Sequence, residues 1–382
     1  MKLHPKVADL LGDVTRLRRD LHQIPELGYH ERKTQAYILK KLTALSPDRL
    51  ETIADTGVKA VFQASGKPKT TTAFRADIDA LAIHEHTGVS FASCHEGFMH
   101  ACGHDGHAAA LLAFAKLVAD HRHRLAHNVV LLFQPAEEHI GGAARMVKEG
   151  ALDNPKVDRI FGMHIWPDVP SGMIGLREGP MMAQTCEFDI IVHGKSAHGA
   201  SPHKGVDAIV ASAEIISALQ TIVTRSVGPQ EKALLTIGKI EGGQARNIIA
   251  DRVVMNGTVR TFKDSVHEHI KSRIKSILKG MEQVSEVYCE FTEVMHYPVL
   301  NNPRPLVDLL LSLAEGDGIM VMDEIMAAED FSFYQHYVPG LFFLLGVGGE
   351  TFREPLHSPR FNFDEADLLG GIEVYRRIIE LE

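Results

Sequence analysis

The sequence predicts an α/β fold with a mixed, largely parallel sheet, divided by an inserted ferredoxin-like α+β domain. Three observations predict it. Short apolar runs alternate with helix-period stretches in the N-terminal part, the middle follows the order β-α-β-β-α-β, and α/β alternation returns towards the C-terminus. In the first part Val58–Ala64 and Thr71–Asp77 read as strands and Ala108–Asp120 as an apolar, Ala-rich helix. Asn128–Gln134 and Ile160–Ile165 read as short buried strands. In the middle, Cys186–His193 alternates apolar and polar residues as a half-buried strand does. Asp207–Thr224 carries a helical period, Ala233–Ile240 and Ile249–Val259 are strands about a turn-rich stretch, Val266–Met281 is an amphipathic helix and Val287–Thr292 a last strand. The final part gives a helix at Leu306–Ala314, an apolar strand at Leu341–Gly346 and a closing helix at Glu365–Leu381. The expected organisation is one outer domain made of residues 1–182 and 299–382, interrupted by an insertion at 183–298.

Bulk properties narrow the function. A chain of 382 residues suits two or three domains rather than one small core. Its net charge is −9 and no run of Lys and Arg is present, which argues against nucleic acid as a partner. The opening residues are amphipathic and no apolar block follows them, so no secretory signal is expected. No stretch approaches the roughly 18 uninterrupted apolar residues of a membrane helix, and no membrane partner is expected. Four cysteines in this length argue for a reducing compartment, hence the cytoplasm. Cys94, Cys186 and Cys289 read as buried free thiols. Cys102 is different, because it sits among histidines.

The stretch 99–107 reads MHACGHDGH, and thiolate and imidazole are both good ligands for borderline divalent metals. With one residue between them, Cys102 and His104 can aim at one side just ahead of a helix. The plainer reading is a helix start with polar company. Next, Glu137 and Glu138 follow a buried strand in QPAEE, and adjacent carboxylates repel unless a cation or proton separates them. At the carboxyl end of a strand they lie where open α/β folds bind ligands. One could ligate metal while the other serves as a base; a solvated loop pair is the alternative. His164, ending a strand, and His357, in a Pro-flanked loop, gain meaning only in such company. His84, His86, His121, His123 and His127 flank predicted helix ends and read as surface residues, while His107 reads as part of a helix start.

These motifs carry a resemblance. RRDLHQIPELGYHE at 18–31, FRADIDAL at 74–81, MHACGHDGH at 99–107, QPAEE at 134–138 and GMHIWPDVPSG at 162–172 belong to it. GKSAHGASPHKGVDAI at 194–209, AEDF at 328–331 and LHSPRFNFDE at 356–365 extend it over nearly the whole chain. The sequence resembles the bacterial and plant amidohydrolases that include hippurate hydrolase, indole-acetyl-amino-acid hydrolases and N-acetyl-diaminopimelate deacetylase. These are a branch of the dinuclear aminoacylase/carboxypeptidase superfamily of metallopeptidases. The resemblance implies a metallopeptidase-like catalytic domain and two divalent metal ions per subunit, Zn2+ or Mn2+ first, then Co2+ or Ni2+. It implies five ligands, Cys102, His104, Glu138, His164 and His357, with Cys102 bridging and Glu137 as general base. Where the wider superfamily has a His-x-Asp pair, this chain reads Asp77-Ile78-Asp79, so Asp79 is expected only to support a ligand. His198 is implied as an oxyanion donor, in related enzymes supplied across a dimer. Asn247 and Arg260 match positions that hold the substrate's polar end, and a guanidinium fork suits an α-carboxylate. For Arg260 a strand-end salt bridge is the plainer reading, and for His198 a turn histidine.

The chemistry this implies is hydrolysis of the amide of a small N-acyl amino acid, with a homodimer formed through the inserted domain. N-acetyl-diaminopimelate is the first substrate considered. Hippurate-type or broad N-acyl-amino-acid hydrolysis follows, then dipeptidase or carboxypeptidase action. A catalytically silent ligand-binding protein on the same fold is the rival from another class.

Overall fold

The computed structural model describes residues 2–314 and 318–381. It divides into two compact units, one of Met1–Met181, Leu300–Asp323 and Asp330–Glu382, the other of Met182–Val299 and Glu324–Glu329.

The first unit is built on an eight-stranded sheet. Its order is Arg49–Ile53, Gly57–Phe62, Asn128–Gln134, Thr71–Asp77, Arg159–Pro170, Gly340–Gly348, Ile174–Leu176, Ile319–Val321. The four strands from Asn128–Gln134 to Gly340–Gly348 are parallel to one another, and antiparallel pairs flank them. Thr71–Asp77 is buried at every position and Asn128–Gln134 at all but its first, as befits central parallel strands covered on both faces. Their register pairs Asp77 with Gln134, so the segments bearing Asp79 and Glu137 leave the sheet at the same edge. The helix His104–Asp120 packs below that edge, and its alanines let it lie close. Gly103 precedes it with φ +83°, and a Cβ there would stand 2.0 Å from Ile165 Cδ1. No other residue fits.

The second unit is a four-stranded antiparallel sheet in the order Ala233–Gly242, Arg252–Thr261, Gln184–His193, Tyr288–Tyr297. The helices Ala208–Thr221 and Asp264–Ser285 cover one face, with Phe188, Ile190, Val192, Ile215, Ile270 and Ile274 in the core between. Chain order and sheet order together are those of a ferredoxin-like sandwich.

Several details differ from the sequence reading. The helices Leu11–His22 and Arg32–Ala44 and the three-residue strands Ile174–Leu176 and Ile319–Val321 were not expected, and three residues are too few to show a period. The expected strand Ile249–Val259 is two, Ile248–Ile249 and Arg252–Thr261, and the closing helix begins with a separate 3-10 turn at Glu365–Asp367. Among the described residues Ala208–Ser226 is long and apolar enough to span a membrane by length and composition, contrary to expectation. It passes because Ile209 and Val210, 49% and 55% exposed, add to the stripe that faces the core. All four cysteines are free; Cys186 is buried, but Cys94 is exposed and Cys289 half-buried. His127 is buried rather than on the surface, its Nδ1 2.7 Å from Thr70 Oγ1.

Beneath the strand ends lies a fully buried ionic cluster. Arg75 donates to Asp77 (2.6 Å), Asp330 (2.8 Å) and Gln134 (2.9 Å), and the Gln134 amide donates to both Asp330 oxygens at 2.8 Å. One cation thus offsets two carboxylates that would otherwise carry unbalanced charge inside the sheet. Arg75→Ala is expected to destabilise the protein by about 3–5 kcal/mol in chemical denaturation, the cost of orphaning a buried charge. A loss below about 1 kcal/mol would show that the cluster is not needed for stability.

Candidate metal centre

The site is assembled at the carboxyl edge of the parallel strands, all of it within the first unit. Cys102 and His104 lie at the start of the His104–Asp120 helix, Glu137 and Glu138 follow Asn128–Gln134, and His164 is on Arg159–Pro170. His357 enters from the loop after Gly340–Gly348, with φ +66°. Its N–H donates to the Ala101 carbonyl at 2.8 Å, which ties that loop to the Cys102 segment. Ala136 has φ +56° and turns the chain so that the two glutamates face inwards. Such conformations are costly for residues with a Cβ and are held here by partners. The Ala136 N–H donates to Glu31 Oε1 at 2.9 Å, and Thr56 Oγ1 donates to Glu31 Oε2 at 2.6 Å.

The five expected ligands converge. Cys102 Sγ is 3.4 Å from His164 Nε2 and 3.3 Å from His357 Nε2. Glu138 Oε1 is 3.1 Å from His357 Nε2 and 3.9 Å from His104 Nε2. The donor atoms form two triplets that share the thiol, Cys102–His104–His164 and Cys102–Glu138–His357, each lying within 4.8 Å of one another. Glu137 joins His104 and Glu138 in a further group of the same kind. His357 is exposed and opens the cluster to solvent, whereas Cys102, His104 and His164 are buried.

The imidazoles are oriented from behind. His104 Nδ1 donates to Asp79 Oδ1 at 3.1 Å, and Asp79 Oδ2 accepts from the Glu138 N–H at 2.9 Å. His164 Nδ1 donates to the Ile165 carbonyl at 2.6 Å, leaving Nε2 with its lone pair towards Cys102. His107 is more than a helix start. Fully buried, it pairs through Nδ1 with Asp77 at 2.5 Å, and its Nε2 accepts from the Ile165 N–H at 2.9 Å. It thereby locks the strand that carries His164. Sequence reasoning missed this role of His107, and missed Glu31 and Asp77, because each depends on partners from remote segments. The only signal was their presence in the motifs themselves.

The electrostatics suit a cation. Burial lowers the His104 pKa, but Asp77, Asp79 and Glu138 outweigh it and carry the group up to about 10. Burial would raise Glu138, yet His357 and His104 hold it down to about 2. Burial and the adjoining Glu138 and Glu137 push the Cys102 thiol well above its ordinary value. His164 is pushed down to about 3 by burial and by His107, so it presents a neutral ring. His104 Nε2 and Glu138 Oε1 are buried and have no hydrogen-bond partner of acceptable geometry. Buried polar atoms rarely lack partners, and divalent cations would satisfy both.

The remaining site residues lie in the second unit. His198 and Asn247 are exposed and adjacent: His198 pairs with Ile248 across a two-stranded ribbon, and the Gly199 N–H donates to the Asn247 carbonyl at 2.8 Å. Arg260 is elsewhere. Its guanidinium donates to Thr185 Oγ1, Thr258 Oγ1 and, at 3.3 Å, the Val259 carbonyl. It stands at the far end of the strand Arg252–Thr261, about 27 Å from its start at roughly 3.4 Å per residue. One unit therefore does not bring Arg260 together with His198 and Asn247.

Known proteins agree with this architecture. The chain is 40% identical over 358 residues to the N-acetyl-L-cysteine deacetylase of Bacillus subtilis (strain 168), spanning 92% of this chain and 84% of that protein. It is 38% identical over 375 residues to an N-acetyldiaminopimelate deacetylase of Bacillus cytotoxicus, spanning 97% and 98%. A solved Bacillus subtilis structure, described as a dinuclear metal binding peptidase from the M20 family, superposes with a TM-score of 0.82 at 32% identity. That match covers 97% of this chain and 98% of the other. The family model for peptidase family M20/M25/M40 matches residues 73–381, which include every group of the cluster above. The chain belongs to peptidase family M20/M25/M40.

Proposed function

We propose that this protein is a metal-dependent amidohydrolase that removes the acyl group from a small N-acyl amino acid. The observation that carries the reading is the convergence of Cys102, His104, Glu138, His164 and His357, with buried donor atoms left unsatisfied, beside Glu137. Relatives that act on N-acetyl-L-cysteine and N-acetyldiaminopimelate support the substrate class. In this reading Cys102, His104, His164, Glu138 and His357 would hold two divalent ions, Zn2+ or Mn2+. Bound there, such ions supply an acidified water and polarise the scissile carbonyl.

The chain's own groups do the rest. Asp79 holds His104 in one tautomer and braces the Glu138 backbone, so the donors need no rearrangement. Glu137 takes the proton from the attacking water and delivers it to the departing amine. His198 is assigned as the oxyanion donor, and Asn247 and Arg260 as the groups that hold the amino-acid end. Because Arg260 is remote from His198 and Asn247 within its own unit, the reading includes a homodimer in which one set comes from the second copy. The exposed Ile209, Val210, Ile240 and Ile248, all of the second unit, support that unit as the dimer contact. Four free thiols, one of them exposed, support a reducing, cytoplasmic setting.

Hydrolysis is tested on N-acetyl-diaminopimelate, N-acetyl-cysteine, hippurate and a dipeptide, before and after chelation. Activity on an N-acyl amino acid that chelation abolishes and added metal restores is expected. Turnover indifferent to chelator sinks the metal-dependent reading. Glu137→Gln is expected to keep its metal and lose about 10²–10⁴-fold in kcat. Near wild-type turnover at full metal content would remove Glu137 from the mechanism. Mixing inactive His198→Ala and Arg260→Ala chains should restore about one quarter of wild-type activity, since half the dimers carry one intact site. Mixtures that stay inactive after subunit exchange would refute the two-copy arrangement.

A further inference from the structure

The second unit contains a thiol, two imidazoles and a carboxylate that nothing in the proposed hydrolysis uses. Cys186 is on the helix-covered side of the sheet, in line with the core residues Phe188, Ile190 and Val192. Directly opposite it in register on the neighbouring strand is His296, and Glu293 sits at the bulge just before. His267 comes from the first turns of the Asp264–Ser285 helix. One donor atom each from Cys186, His267 and Glu293 lie within 4.8 Å of one another. The His267 and His296 rings are 5.1 Å apart, which brings a fourth donor alongside.

His267 is the telling residue. The buried stripe of its helix is His267, Ile270, Ile274 and Leu278, so the first position of an apolar seam is given to an imidazole. It is 2% exposed, and neither ring nitrogen has a hydrogen-bond partner. Burying a polar ring without partners is unfavourable, and a leucine there would pack without that cost. The Gln184 side chain, whose amide oxygen is 3.5 Å from His296 Nε2, likewise has a buried and unsatisfied amide nitrogen. His107 and His164 are satisfied at one nitrogen or both, while His100, two residues before Cys102, shares with His267 the lack of a partner at either nitrogen.

From this cluster we infer a second metal site, separate from the candidate centre of the first unit, in which Cys186, His267, Glu293 and His296 bind one thiophilic borderline divalent cation of the zinc class. Cys, His and carboxylate donors from two strands and a helix make a four-ligand set with no position left for substrate, the pattern of a structural site. Glu293 and His296 are exposed and give the ion its entry, while Cys186 and His267 close the inner side. Lys271 stands 2.9 Å from Glu293 and 3.2 Å from Glu268, so its ammonium can pass to Glu268 when a cation takes Glu293. Burial and Glu293 push the Cys186 thiol up to about 11, and burial with His296 and Lys271 lowers His267. The histidine is therefore a ready neutral ligand, whereas binding must release the thiol proton. Joining the Asp264–Ser285 helix to both strands, the ion would fasten the inserted unit internally.

The test uses the full-length protein equilibrated with buffered zinc, its metal content measured per chain. Glu293→Gln and the double variant Cys186→Ser/His267→Leu are expected to bind one equivalent less than wild type, with the rate of amide hydrolysis kept. Unchanged stoichiometry in both overturns the site. Cobalt gives a second readout, since a cobalt–thiolate charge-transfer band reports the thiol directly. Cys102→Ser protein should retain such a band and lose it when Cys186→Ser is added. If Cys102→Ser alone abolishes the band, or the second substitution leaves it intact, Cys186 is not a ligand and the inference fails.

Discussion

The structure depends on a problem of charge. Asp77, Asp79, Glu137 and Glu138 are brought to one sheet edge together with a thiol, and buried carboxylates this close repel unless something positive lies between them. On the inner side the protein supplies that charge itself. Arg75 and His107 both engage Asp77; burial opposes its ionisation, but His104, His107 and Arg75 overcome it and hold the group well below its ordinary pKa. On the outer side the donors are types that bind divalent metals. The division is sharp: the fixed Arg75 guanidinium below, a donor array above.

The fold explains how so many polar groups are tolerated. Parallel strands buried on both faces make a stiff platform, and their register sets the Asp77 and Gln134 ends level. The loops that continue them carry the functional groups, at the edge where open α/β sheets bind ligands. Left-handed backbone at Ala136 and His357 then aims the side chains, and each strained point is pinned by a hydrogen bond to a distant segment. Glu31 is one such pin. Burial raises its pKa to about 7, and it still accepts from Thr56 and Ala136.

Much of this was legible in the sequence, and the failures have physical reasons. Thr71–Asp77 and Asn128–Gln134 were read to the residue, and in the second the apolar run Val129–Phe133 is uninterrupted and closed by Pro135. The five ligand candidates could be named because each stands in a motif that carries the family resemblance. His107 was not, since its value comes from meeting Asp77 and Ile165, thirty and fifty-eight positions away. Cys94 and His127 were placed on the wrong side of the surface for a related reason: a lone residue in an irregular segment carries no period. Arg260 was open between a substrate clamp and a strand-end contact, and in this chain its fork rests on Thr185 and Thr258.

The two thiol–imidazole–carboxylate clusters differ in ways that bear on what each can do. In the first, four carboxylates crowd the donors, two backbone positions are held in the left-handed region, and an exposed histidine leaves a way in. In the second, one carboxylate is already balanced by Lys271, and none of Cys186, His267, Glu293 and His296 has a positive φ. Strain of the first kind persists where a fixed geometry is required for reaction, and it is not needed merely to tie elements together. A donor set supplied by regular helix and strand, with its inner members sealed in a core, suits an ion that stays. The same three residue types thus fit turnover at a strained strand end and permanence inside an unstrained sandwich; the backbone makes the difference.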